Sequence, residues 1–471
     1  MTVKKQQTVY CAPRTIPIQT DVSLDCLTEV VAGKLLPAIL GGNGSVEGQS
    51  IFAAEPVEVF EFSLREDQPF EKLLTVLSKY QLKEKGSDTF LGFSCGWIGY
   101  FGYELGRFIE KMPHRAIDDL GFPVVRLAFY DKAILFDHQR GQFTLLALEY
   151  DGQNHTPERK FQQLNDWLYE AANVTVSVPE NVDIDAIDTD AIDSNMTKDV
   201  YLNAVARIKH YIVEGDTYQI NLSQRFETPF TARPIDVFHW QNRFNPSPFA
   251  AYLAWDDKAV VSTSPELFLQ VENDVITTRP IKGTRLRNPL LPDESPENSG
   301  HFHDLVLSEK DQAELAMIVD LERNDLARVC VPGTRGVLCA RKIEIFPTVY
   351  HAAAVVQGRL SAPAGPQRVI DILKATFPGG SITGAPKIRS MEIIDELEPT
   401  ARSVYTGSIG WIGLNDDLCW SIAIRTILIA GQRAAIQAGG GIVADSDAEA
   451  EWQETITKAR ALIAGIRAVQ T

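Results

Sequence analysis

Between residues 418 and 430 both alternating sets of side chains are largely apolar, with Trp420, Ile422, Ile424 and Leu428 on one and Ala423, Ile427 and Ile429 on the other. A strand of that kind is covered on both faces, so it must lie inside a layered structure. Strand-like runs at 401–413 and 434–444 flank it, joined by Asn-Asp-Asp and Gly-Gln-Arg turns. The three predict an antiparallel meander. One residue breaks the apolar pattern. Arg425 needs an anionic partner in such a place, either an internal Asp or Glu or a substrate carboxylate held bidentately.

Upstream, 51–62, 124–130, 133–136 and 142–148 read as strands, and 90–103 is rich in glycine and aromatic residues. Helical spacing covers 70–80, through Leu73, Leu74, Val76 and Leu77, and a second helix is expected at 155–172. The acidic stretch 178–199 is the best boundary, dividing the chain into 1–175, a connection at 176–196, and 197–471. Thr197 is placed to cap a helix whose Tyr201, Val205, Ile208 and Ile212 form one stripe. Gly-Trp-Ile-Gly occurs twice, at 96–99 and 410–413.

Apolar residues make up 45% of the 471, enough for a sizeable core. The net charge of −17 argues against nucleic acid as a partner and means that a small anionic substrate would need cations gathered locally. Six cysteines are scattered without a C-x-x-C pair, which reads as free thiols in a reducing cytoplasm. Two lysines near the N-terminus have no long apolar stretch behind them, so no secretory signal is expected, and no run reaches the ~20 apolar residues of a membrane helix.

Several stretches carry chemistry. Glu451, Glu454 and Lys458 share one face of a last helix, at about 448–469. A salt-bridged solvent face accounts for that spacing. Yet the preceding strand ends in Gly439, Gly440 and Gly441, and glycines weaken a strand unless something approaches its backbone closely; strand end and helix together make a candidate ligand site. A second helix, at 308–322, puts Asp311 and Glu314 on one face, with Met317 and Ile318 continuing into apolar packing. If the two acidic helices meet, their carboxylates invite a hard divalent cation such as Mg²⁺. The run FPGGSITGAPK at 377–387 looks like a phosphate loop but has Ala385 and Pro386 where Lys and Ser/Thr are required. It precedes a helix N-terminus, where a carboxylate is favoured. Lys282 lies between a strand-like run and a Gly-Thr turn, and Glu266 follows Ser264 and Pro265. A lone lysine is ordinarily a solvated surface residue; brought next to a carboxylic acid, it becomes a nucleophile beside a general acid.

Taken in chain order, these stretches resemble the chorismate-utilising enzymes. The matching segments are GDTYQINLSQR (215–225), SPE (264–266), PIKGT (280–284), 313–329 with DLERND at 320–325, 377–387 and 437–458, and GYFGYELGR (99–107) resembles the family's N-terminal region. The resemblance implies an α/β (α+β) unit in which two antiparallel β-sheets enclose helices and the site lies in a cleft at one end. It implies Glu314 and Glu451 as Mg²⁺ ligands with Glu454 beside them. Arg425, Tyr405, Lys458 and the backbone of Gly283, Thr284, Gly439 and Gly441 would bind the carboxylates of chorismate. Thr383, Gly384 and His351 would wall the pocket, and Glu266 would protonate the departing C4 hydroxyl. Asp311 departs from the family, several members of which have Glu there.

Two positions separate the branches. Relatives that use water carry a basic lysine where this chain has Gln219. Anthranilate-forming relatives usually carry Ala where this chain has Lys282, which resembles the lysine of aminodeoxychorismate-forming relatives that attacks C2. The implied reaction is amination at C4. With no Gly-x-Cys-x-Gly elbow in the sequence, ammonia is expected from a separate glutamine amidotransferase subunit. The alternatives are an anthranilate-forming large subunit and a non-catalytic subunit that binds chorismate or tryptophan.

Overall fold

The computed structural model describes residues 8–42, 48–83, 92–180, 182, 187, 192–288, 290–346 and 349–470. Most of the acidic connection at 181–191, the first seven residues, and residues 90 and 91 of the glycine-rich run lie outside the described residues.

Two large sheets, of 13 and 10 strands among the described residues, form the frame. The larger runs Gln219–Pro229, Arg433–Ile442, Thr426–Ala430, Lys258–Ser264, Phe249–Trp255, Ala38–Leu40, Gln49–Ala53, Lys132–Asp137, Gln142–Tyr150, Val9–Ile18, with short strands at both ends. The smaller runs Ile281–Leu286, Val349–Arg359, Val275–Arg279, Leu267–Glu272, Leu418–Ile422, Ser408–Gly413, Gly96–Phe101, Val125–Tyr130, Glu58–Phe62, with Gly336–Ile345 also paired to Val349–Arg359. Strands from before and after the acidic connection therefore share both sheets.

One hydrophobic core combines side chains of both sheets with the helices Pro69–Leu77, Glu309–Ala327 and Pro366–Thr376. A second lies between the larger sheet and the helices Leu24–Ala32, Pro157–Ala171, Pro234–Phe244 and Ala448–Gln470. The larger sheet is thus apolar on both faces, as the pattern around residue 428 requires. Thr197 caps the helix Lys198–Val213, its hydroxyl accepting from the Val200 N–H, and Tyr201, Val205 and Ile208 are buried. None of the six cysteines is paired. Among the described residues no helix is long and apolar enough to cross a membrane.

The expected meander is not one. Ser408–Gly413 pairs with Leu418–Ile422 in the smaller sheet, and Thr426–Ala430 pairs with Arg433–Ile442 in the larger. Between them the chain crosses from sheet to sheet, and Arg425, read from sequence as a strand residue, sits in the crossing with φ of 49°. Apolar alternation hides such a crossing, because a residue buried on both sides reads the same in either sheet. The strand expected over 51–62 divides likewise into Gln49–Ala53 and Glu58–Phe62, one in each sheet. A second crossing, through Pro265 and Glu266, links Lys258–Ser264 to Leu267–Glu272. The two crossings lie side by side: the Ile422 N–H donates to the Glu266 carbonyl at 3.0 Å, and the Thr263 N–H to the Arg425 carbonyl at 3.0 Å.

The two Gly-Trp-Ile-Gly segments pair with each other, Gly96 opposite Gly413 and Gly99 opposite Gly410. They share a steric need. A Cβ on Gly99 would overlap the Arg126 carbonyl oxygen, and one on Gly410 the Cys419 carbonyl oxygen. Because backbone rather than a flexible side chain stands in the way, Gly410→Ala should destabilise the protein by more than about 4 kcal/mol. Gly300→Ala, in the helix Pro296–Leu307 with nothing within 4 Å of the new methyl, should be neutral or stabilise by up to about 1 kcal/mol. Urea unfolding of the two variants checks the contrast.

Candidate active site

Lys282 belongs to the strand Ile281–Leu286, and its Nζ donates to the Ser381 carbonyl at 3.1 Å. Ser381 lies in the short 3-10 turn Gly380–Ile382, which the buried Thr383 closes by donating its hydroxyl to the Gly379 carbonyl at 2.9 Å. Thr383 thus serves the loop. Glu266 faces the same loop from the sheet crossing; it is buried, and its Oε1 has no hydrogen-bond partner among the described residues. Burial pushes its carboxyl above the ordinary range, while the Ser381 hydroxyl, Lys282 and the Ile281 backbone pull the other way without cancelling that push. A carboxyl whose proton is held more tightly than usual, beside an amine, is suited to protonate a leaving group.

The cationic side is built from Arg425, His351 and Thr284. Thr284 Oγ1 and His351 Nδ1 share a hydrogen bond of 2.8 Å, and the buried His351 Nε2 has no partner. Burial, with Arg425 and Arg279 adding, holds the imidazole well below its ordinary pKa, so His351 is neutral. Arg425 forms no salt bridge with an Asp or Glu of the described residues, and burial lowers its pKa. Of its two candidate partners, the internal carboxylate is missing. Tyr405 is buried with its ring 5.9 Å from the Arg402 guanidinium. Gly384 has φ of 153° and pairs with Ile220, and a Cβ there would overlap the Gln219 carbonyl oxygen.

The two acidic helices do face one another. Lys310 Nζ stands 3.9 Å from Glu314 and 3.8 Å from Glu451, between the helices Glu309–Ala327 and Ala448–Gln470. Burial raises the pKa of both carboxyls, and the Glu451 charge adds to the effect on Glu314. The Ser446 hydroxyl fixes Glu451 by donating to Oε1 at 2.7 Å. Gly440 leaves room for it, since a Cβ there would come within 3.0 Å of Glu451 Oε2. Glu454 differs. Burial works against its charge, but Lys458 at 2.6 Å outweighs burial and holds the carboxyl below its ordinary value. Lys458 also donates to the Gly439 carbonyl at 2.8 Å. Among the described residues no three His, Cys, Asp or Glu side chains gather as a complete metal cage. Two neighbouring buried carboxyls still fit Mg²⁺, which takes one or two carboxylates and completes its shell with water and substrate. Asp311 packs beneath Gly283, which has φ of 91°, and pairs with Arg285 at 3.1 Å, so its shorter side chain supports the turn that follows Lys282.

A cavity of about 910 Å³ between the sheets, lined in part by Phe249, Trp411, Arg279 and Glu344, contains none of these residues.

Sequence reading passed over Glu322. It lies on the buried stripe of its helix with Leu315, Ile318 and Leu326, accepts from Thr278 Oγ1 at 2.8 Å, and is pushed up to about 8 by burial and then by the charge of Glu266. A carboxylate on an apolar stripe was the available signal.

The sequence matches the chorismate binding enzyme family over residues 44–464. Aminodeoxychorismate synthase component 1 of Escherichia coli (strain K12) is 38% identical over 405 residues, covering 84% of this chain and 82% of that protein. Anthranilate synthase component 1 of Pseudomonas aeruginosa is 38% identical over 380 residues, covering 79% and 75%. Among solved structures, anthranilate synthase component I from Streptococcus pneumoniae TIGR4 superposes with a TM-score of 0.74 at 30% identity, covering 88% of this chain and 92% of that one. Overall identity does not separate the two named activities.

Glu322 makes stability depend on pH. Its folded pKa of about 8 exceeds the ordinary 4.5, so the folded chain keeps a proton that the unfolded chain loses. The resulting destabilisation is absent below pH 4.5, grows by about 1.4 kcal/mol per pH unit, and levels off above 8. Glu322→Gln removes it. Thermal melts of wild type and variant should diverge, in the variant's favour, as pH rises from 5 to 8.

Proposed function

This chain belongs to the family of chorismate-binding enzymes, and we propose that it is the large subunit of an aminodeoxychorismate synthase, which aminates chorismate at C4 to give 4-amino-4-deoxychorismate, a precursor of p-aminobenzoate and folate. The observation that carries this reading is Lys282 with its Nζ on the loop that also faces the buried carboxyl of Glu266, whose Oε1 has no hydrogen-bond partner among the described residues. An amine and a carboxyl with a raised pKa at one loop supply both halves of a displacement.

In this reading the Lys282 amine bonds to C2 as the C4–O bond breaks and both ring double bonds shift one place toward C4. Glu266 gives its proton to the leaving hydroxyl, which departs as water. Ammonia then bonds to C4, both double bonds shift back, and the C2–N bond to Lys282 breaks. The proton shed by the incoming nitrogen returns to the Glu266 carboxylate. Arg425 takes a carboxylate of the substrate as its missing counter-charge, and the hydrogen-bonded Thr284 and His351 line the same side. Glu314 and Glu451 are the residues that would hold Mg²⁺, with Glu454 beside them; when bound, the ion supplies positive charge for the second substrate carboxylate. Ammonia comes from a glutamine amidotransferase subunit, because the sequence has no glutaminase elbow of its own.

Product identification by mass spectrometry tests the reading, using purified chain, chorismate, Mg²⁺ and ammonium at alkaline pH. The expected product carries nitrogen at C4, and glutamine should not replace ammonium; anthranilate would overturn the assignment in favour of the other branch. Lys282→Ala should lower para-amination by at least about a hundredfold while chorismate still binds. Full para-amination by that variant would remove the lysine from the mechanism. Glu314→Gln and Glu451→Gln should each lose Mg²⁺-dependent turnover with the fold intact, and undiminished wild-type turnover in EDTA would sink the metal assignment.

A further inference from the structure

Three lysines stand around the carboxyls of the two acidic helices, and two of them are committed elsewhere. Lys458 is paired with Glu454 at 2.6 Å and donates to the Gly439 carbonyl at 2.8 Å. Lys282 donates to the Ser381 carbonyl at 3.1 Å. Lys310 is different. Its side chain is 57% exposed, its Nζ has no hydrogen bond among the described residues, and it stands 3.9 Å from Glu314 Oε1 and 3.8 Å from Glu451 Oε1. Those distances are too long for hydrogen bonds, so charge alone holds the ammonium between the two carboxyls. Its own helix gives no reason for a lysine there. Lys310 is the second residue of Glu309–Ala327, after the cap Ser308, where the helix dipole disfavours a cation. A lysine four residues ahead of a glutamate is also the weaker order for a helical pair. The contact that accounts for it comes from the other helix, from Glu451, whose Oε1 is fixed by the Ser446 hydroxyl at 2.7 Å.

We infer that Lys310 is a built-in stand-in for the divalent cation: its ammonium sits between Glu314 and Glu451 and gives way when a metal ion enters, so that this lysine sets how tightly Mg²⁺ is held. The inference rests on the reading of Glu314 and Glu451 as the residues that hold Mg²⁺. An ammonium and a dication answer the same two negative charges, and they repel each other, so both cannot lie between one pair of carboxylates. Lysine suits the part. Its charge is a compact point on a flexible four-carbon stem, and Nζ can move into water while the backbone stays in place. Lys458, held by two short contacts, is not free to do this. With Lys310 in place the neighbouring carboxyls keep a counter-charge of their own. Metal entry then costs the two lysine contacts, which lowers the affinity for free Mg²⁺.

Calorimetric titration of the full chain with Mg²⁺ alone reads the effect without turnover, in about 0.15 M salt so that distant charges are screened. Lys310→Met keeps an apolar stem and removes the charge, and should tighten Mg²⁺ binding about three- to tenfold, the worth of two half-exposed ion pairs. Lys310→Arg keeps the charge and should stay closer to wild type. Glu314→Gln should lose Mg²⁺ binding. A crystal of the wild type grown with Mg²⁺ should show the Lys310 side chain turned into solvent. Equal affinity in Lys310→Met and wild type, with binding lost in Glu314→Gln, would overturn the inference and leave the metal assignment standing. So would a Lys310 still seated between the carboxylates beside the bound ion. Mg²⁺ binding that survives in Glu314→Gln would sink the metal assignment and the inference with it. If wild type takes up no Mg²⁺ on its own, uptake by Lys310→Met supports the inference, and no uptake there refutes it.

Discussion

The site hangs on one buried ion pair, Arg402 with Glu398, whose side chains are 1% and 2% exposed. Glu398 accepts from Arg402 Nε and Nη2 and from the backbone and hydroxyl of Ser223. Arg402 donates further to the carbonyls of Ile382 and Asn221, and its own N–H goes to Glu104. Four pieces meet there: the end of the helix Lys387–Leu397, the strand Gln219–Pro229, the 3-10 turn that carries Ser381, and the 3-10 turn Tyr103–Phe108 from the N-terminal part of the chain. A buried pair of this kind is weak as a source of stability, but losing one partner leaves an uncompensated charge and costs about 3–5 kcal/mol. Its effect here is to fix position. Lys282 binds the Ser381 carbonyl, so where the amine sits depends on where Arg402 holds the neighbouring Ile382 carbonyl.

An acidic protein built for a dianion has to arrange its charges unevenly. The carboxyls of Glu314 and Glu451 are raised by burial, which the nearby lysines only partly offset. Glu454 is lowered because Lys458 answers it. Lys310 stands between the first two at 3.8–3.9 Å, close enough to moderate their repulsion and, being 57% exposed, free to swing away. Arg425 is a buried cation with no Asp or Glu of the described residues paired to it. Mismatched charges of both signs are costly in the empty protein, and a ligand with carboxylates plus a divalent cation would satisfy both at once.

Much of this was legible in the sequence, and the failures have physical causes. Helix positions followed from the 3.6-residue stripe and from caps such as Thr197, whose hydroxyl has one local partner. The proximity of Glu314 to Glu451 followed only from a family resemblance, because nothing in local spacing tells which helices will face each other. Strand runs were recognised, but not the sheets they join: residues 418–430 look uniform because both destinations are apolar on both faces. Glu322 was missed for the opposite reason. It sits in a run of charged residues, and its burial appears only when Leu315, Ile318 and Leu326 are laid on one stripe with it.

The hidden crossing explains why these residues can react at all. Glu266 and Arg425 stand at two of the places where the chain passes between the larger sheet and the smaller. Inside a sheet a side chain points up or down at a fixed spacing and its backbone groups are taken by the ladder. At a crossing the ladder lapses, and Arg425, with φ of 49°, turns its side chain in a direction that a strand residue cannot take. The paired crossings hold each other, the Thr263 N–H on the Arg425 carbonyl and the Ile422 N–H on that of Glu266. Glu266 and Arg425 are therefore spaced by two rigid sheets rather than by a loose loop, which is the condition a site needs for holding groups to within a fraction of an ångström. Strain at Arg425 and the desolvation of Glu266 are tolerated because the cores on either side of the crossing are too well packed to let them relax.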